Sequence, residues 1–138
     1  MFRSRRTPLS QIGVLFQVSG ITDEYMRKML QTTKRYTLVI LHRTSKRSEK
    51  GADEIVWEHG RRNFELRREG LLRIVGPVVT DETDVTGMCI FSTDLPRTKE
   101  IMDGDPAVKA GIFTYESHVI ETFPGDALGM PKPVDEQS

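Results

Sequence analysis

The strongest constraint in this chain is Tyr36-Thr-Leu-Val-Ile-Leu41, an aromatic and β-branched run that is apolar on both of its alternating residue sets. Successive side chains of a strand point to opposite faces, so such a run belongs in the middle of a sheet with both faces covered. The rest of the chain must then supply a cover for each face.

Downstream, Ala52–Glu69 carries a helical pattern. At about 100° per residue, Glu58, Arg61, Arg62, Glu65, Arg68 and Glu69 gather on one side. Ile55, Val56, His59, Gly60, Asn63, Phe64 and Leu66 gather on the other, with Arg67 as the exception. Asp53 is the expected cap, and Gly70 stops the helix. Leu71–Thr80 and Val85–Ser92 read as strands joined by the polar Asp81–Asp84 loop, a hairpin in which Gly76-Pro77 marks a bulge, an edge or a break. Thr93–Met102 reads as a second helix, capped by Thr93 or Asp94, with Pro96 in its first turn. Asp105-Pro106 opens a short helical turn that ends at Gly111, and Phe113–Phe123 is the last strand. His42–Gly51 is polar and basic. It reads as a loop containing His42 and Arg43, either a solvated connection or a basic lip over a pocket for an anionic ligand.

The order is strand, helix, strand, strand, helix, strand. It predicts an α+β domain of the ferredoxin-like βαββαβ kind: an antiparallel four-stranded sheet with helices on one face. Two helices on one face leave the other bare, so a homodimer packed through that face is expected. Residues 1–34 read as an N-terminal extension, with a possible strand at Ile12–Val18 and a short helix at Asp23–Thr32 capped by Thr22 or Asp23. This stretch is either a native appendage or an extension upstream of a start at Met26 or Met29. Residues 126–138 read as an irregular Pro- and Gly-rich tail.

Lys plus Arg and Asp plus Glu are 20 each, so the net charge is zero, which argues against a broad nucleic-acid footprint. No apolar run approaches the ~20 residues of a membrane span. Arg3, Arg5 and Arg6 with no acid before Asp23 give a faint transit-peptide flavour, but the amphipathic pattern is poor. The single cysteine, Cys89, sits between Met88 and Ile90 and reads as a core thiol; the lack of paired cysteines fits a reducing compartment, and a cytoplasmic location is expected. No Gly-rich phosphate loop, nucleophile motif or dinucleotide fingerprint appears, and no cofactor is expected.

The segments GMCIFSTDLPRTKEIMDGDPAVKAGIFTYESHVIETFPG (residues 87–125) and EHGRRNFELRREGLLRIVGP (58–77) resemble the YciI-like (YCII-related) family. The likeness covers residues 35–125. It implies a dimeric α+β barrel, two ferredoxin-like protomers packed sheet to sheet, and a His–Asp pair in a cleft. By motif position that pair is His59 and Asp105. It also implies a small organic substrate, cyclic or halogenated in some relatives, without naming a reaction.

Each candidate has a bland reading beside the functional one. His59 is either a core histidine or an acid–base group, and Asn63, one turn on, would orient its ring or a ligand. Asp105 before Pro106 is explained by helix capping alone, but a cap uses one carboxylate oxygen and leaves the other available. Glu116 and His118 share one strand face and are either ligand contacts or a solvated pair. Arg43 belongs to the candidate basic lip. A metal held by His59, Glu116 and His118 lacks short ligand spacing, and no metal is expected. The reading is a small cofactor-independent enzyme that uses His59 and Asp105 for proton transfer or elimination. The rival is a non-catalytic dimeric module that binds a small ligand or a protein.

Overall fold

The structure is a computed structural model that describes residues 20–80 and 82–132. Lys34–Thr122 forms one compact unit, and the described residues on either side belong to a second. The strand expected at Ile12–Val18 lies outside the described residues.

In the second unit, helix α1 spans Asp23–Gln31. Thr22 caps it by accepting from Tyr25 N–H at 3.1 Å, leaving Asp23 in the first turn, where its charge opposes the positive end of the helix dipole.

The main unit runs β1 (Lys34–Arg43), a 3-10 turn (Ser45–Ser48), α2 (Ala52–Arg68), β2 (Leu72–Pro77), β3 (Val85–Phe91), α3 (Leu95–Asp103), α4 (Pro106–Lys109) and β4 (Phe113–Thr122). The sheet order is β2-β3-β1-β4, and every neighbouring pair is antiparallel. This is the expected α+β ferredoxin-like arrangement, with β1 in the interior of the sheet.

The register sorts the strand side chains. Thr37 faces Phe91, Val39 faces Cys89 and Leu41 faces Gly87, all beneath the helices. Phe91 and Val39 are fully buried there with Leu72, while Leu66 of α2, Ile101 and Met102 of α3, and Ala107 of α4 close the layer. Each of these side chains larger than alanine contributes ~1.5–3 kcal/mol on leaving water. Gly87 is closely packed at its place: a Cβ there would stand 3.2 Å from Leu41 Cδ1, so the leucine would have to shift to admit it. On the other face the register sets Leu38 opposite Ile90 and His118, and Ile40 opposite Met88 and Glu116. These side chains are half-buried or exposed, and no helix of this unit covers them.

Several boundaries differ from expectation. His42 and Arg43 extend β1 rather than opening the loop: a register shift after Leu41 lets His42 pair with Val85, and Thr114 pairs with it from β4. Asp53 does not cap α2. Gly51 takes that place at φ 89°, a left-handed conformation suited to glycine, and the Asp53 carboxylate accepts from Arg47 Nη1 at 2.7 Å. β2 ends at Pro77, which has no N–H for the ladder. The cap of α3 is Asp94, which accepts from Arg97 N–H at 2.9 Å. Among the described residues, no helix is long and apolar enough to cross a membrane.

Candidate active site

The site begins with two helix positions. His59 lies at the centre of the arc that α2 turns to the sheet, between buried Ala52 and buried Leu66. Asp105 is the N-cap of α4, held by Pro106 at the first helical position. It is 1% exposed, yet its two oxygens are both satisfied. Oδ2 accepts from Ala107 N–H at 3.0 Å and Val108 N–H at 3.2 Å. Oδ1 accepts from His59 Nδ1 at 2.8 Å, with Arg62 Nη1 at 3.8 Å. A carboxylate can only accept, so this bond assigns the proton to Nδ1 and leaves Nε2 with its lone pair. Asn63 Nδ2 donates towards that lone pair at 3.3 Å, a long bond that a substrate group could replace. The Phe113 ring packs edge-on against the imidazole, centroids 5.2 Å apart and planes at 74°.

His59 and Asn63 open on a cavity of about 390 Å³ between α2 and strands β1, β2 and β3. That is the lower part of the range usual for small-molecule sites. Leu41, Val56, Phe64, Val75 and Phe113 give it apolar walls, and Arg47 and Arg67 add cations. Cys89 also lines it, but burial and the nearby negative charge of Asp105 push its thiol up to about 12, so it offers no thiolate near neutral pH.

Of the candidate residues, His59, Asp105 and Asn63 come together here. Arg43 lies outside this lining, and its Nη2 donates to Thr83 O at 2.7 Å. Glu116 and His118 lie on the face of the sheet turned away from α2, so the sheet separates them from His59. There they form a second cluster with His42: Nδ1 bonds Asp84 Oδ1 at 2.9 Å, Nε2 bonds Glu116 Oε1 at 2.7 Å, and Glu116 Oε2 bonds His118 Nε2 at 2.8 Å. The hydrogen bonds to Asp84 and Glu116 raise the His42 pKa above its ordinary value. The same bonds lower those of Asp84 and, helped by His118, of Glu116.

Sequence periodicity misplaced two residues of α2. Phe64 stands about 140° from His59 around the helix and is 67% exposed, so it borders the cavity without packing into the core. Arg62 stands only about 60° away and turns in toward Asp105, although its charge suggested the solvent side. Taking His59 as the centre of the arc would have recovered both.

No family model matches the sequence, and no curated protein matches it. Among solved structures, the chain is similar to 5-chloro-2-hydroxyhydroquinone dehydrochlorinase (TftG) from Burkholderia phenoliruptrix AC1100, in complex with 2,5-dihydroxybenzoquinone. The identity is 15%, the match covers 62% of this chain and 90% of that one, and the TM-score is 0.41.

Proposed function

We propose that this chain is a small acid–base enzyme in which His59 transfers a proton to or from a small organic substrate, in an isomerisation or an elimination, with Asp105 as the residue that positions it. The observation that carries the reading is the 2.8 Å bond from His59 Nδ1 to a buried carboxylate, with the ring at the wall of a cavity. Such a bond fixes the tautomer and ring orientation. Nε2 can then take a proton from a substrate carbon or hydroxyl, and the positive charge formed on the ring lies against Asp105. The same nitrogen returns the proton to another atom or to a leaving group. A proton-transfer group of this kind contributes about 10²–10⁴-fold in rate.

The protein is further read as a homodimer packed through the helix-free face of its sheet, where Leu38, Ile40, Met88 and Ile90 form an apolar centre. The rival reading, a binding module without chemistry, shares the cavity and the dimer and differs at His59 alone.

The test is a thermal-shift screen with small aromatic, lactone and haloacid compounds, followed by product analysis for each binder. Conversion of one of them by the wild type and not by His59→Gln is the expected result. Binding with no conversion of any compound would leave the module reading in possession.

A further inference from the structure

The ionic groups of the cavity over His59 are of one sign. Besides His59 itself, its lining holds Arg47 and Arg67 and, among the described residues, no carboxylate. Asp105, behind His59, has both oxygens occupied by its cap and by His59. Arg47 holds Asp53, a partner 89% exposed and therefore in a weak, solvent-screened pair. Arg67 rests over the Phe64 ring at 5.7 Å, and among the described residues no carboxylate lies within ion-pairing distance of it.

These groups also follow an order. His59, Asn63 and Arg67 are spaced by four positions on α2, so they form a stripe along one side of the helix. The base, the amide and the cation thus succeed one another along the cavity wall. At ~1.5 Å of rise per residue the stripe spans about 12 Å, which the long arginine side chain can shorten. The walls between are apolar. An apolar pocket with a cation at one end and a base at the other suits a ligand whose charge and reacting atom lie at opposite ends.

We propose that this site takes a small organic monoanion, an apolar body of about one ring bearing one carboxylate, with the carboxylate held by Arg67 and the body over His59 Nε2. The inference deepens the acid–base reading above and rests on it for the role of Nε2, but the anion grip is a separate property and is tested by binding alone. The guanidinium fork can hold a carboxylate through paired N–H donors, and such charge-assisted bonds are about twice as strong as neutral ones.

Benzoate and benzamide, nearly identical in shape and different in charge, are the probes. Each is titrated into isotopically labelled full-length protein while the His59 ring and Asn63 amide resonances are followed. Benzoate should shift both sets with an affinity about tenfold or more above that of benzamide, and added salt should weaken it. Arg67→Gln, at an exposed position, should remove most of that advantage, while Arg61→Gln, which lies outside the lining, should not. Equal binding of the two probes, benzoate affinity indifferent to Arg67→Gln, or no benzoate binding at millimolar concentration would overturn the proposal. Arg67-dependent benzoate binding without His59-dependent conversion of any compound would instead remove the acid–base reading and leave the anion site standing. Conversion of neutral compounds only would do the reverse.

Discussion

His59 and Asp105, separated by 46 positions in the chain, meet through a single 2.8 Å hydrogen bond in which a helix cap and an imidazole share one carboxylate. The division of Asp105, one oxygen to the backbone of α4 and one to the ring, links the stability of the fold to the protonation pattern at the cavity.

Asp105→Asn tests that link. The amide oxygen can keep the cap, which turns the amide N–H₂ toward His59 Nδ1. Two donors then face each other, so the ring must move its proton to Nε2, and the lone pair at the cavity is lost. We expect a loss of about 1–3 kcal/mol in stability, a change of tautomer visible in the nitrogen shifts of His59, and a fall in turnover. An unchanged tautomer would show that the carboxylate does not set the ring.

The central features of this arrangement were legible in the chain because they follow local rules. Tyr36–Leu41 is too apolar for an edge strand, Gly70 ends α2 with φ 80°, and Asp105-Pro106 has the pattern of a capped first turn. His42 was not legible as a strand residue. Its polar surroundings suggest a loop, and only the cross-strand partners Val85 and Thr114 draw it into the sheet. For the same reason, the cluster of His42 with Asp84 and Glu116 depends on three segments distant in the chain, and no spacing within any one of them announces it. Arg47 lies in the basic stretch that reads either as a solvated connection or as a lip over a pocket, and nothing local decides between the two, because the cavity it lines exists only once α2 lies over the sheet.

His59→Gln should separate structure from chemistry. The ring is 9% exposed and satisfies a carboxylate that is 1% exposed, so its loss weakens a buried polar network. Stability should fall by roughly 1–3 kcal/mol in denaturant unfolding. Glutamine can donate to Asp105 and should recover part of the loss seen with alanine, but it has no group that accepts a proton near neutral pH. Turnover should therefore drop by about 10²-fold or more in both variants. Stability and turnover restored together by glutamine would reduce His59 to a core residue.

The sheet-to-sheet dimer predicts that Leu38→Lys converts a dimer into a folded monomer. Leu38 lies opposite Ile90 on one side and His118 on the other, at the centre of the helix-free face. A lysine there places a charge in the proposed interface without entering the helix-covered core. Light scattering at micromolar concentration should give twice the chain mass for the wild type and one chain mass for the variant, with the same circular dichroism. A monomeric wild type would end the proposal.

The His42 cluster predicts a stability contribution confined to a pH window. His42 has its pKa raised above 6.5 by Asp84 and Glu116, so its share is fully present below pH 6.5 and is lost as the pH rises through the higher folded-state value. Asp84 and Glu116 have theirs lowered from 3.8 and 4.5, so their shares are present above those values and are lost as the pH falls through the lower folded-state ones. The cluster is thus complete between about pH 4.5 and 6.5, with a cationic ring between two carboxylates. Because these side chains are largely in contact with water, the effect is modest and screened by salt. His42→Gln, which stays neutral throughout, removes it. The difference in Tm between wild type and His42→Gln should be largest near the middle of that window and shrink above pH 7 and below pH 4, more so at low ionic strength. A difference that is flat across this range would mean that His42 contributes through strand pairing and packing alone.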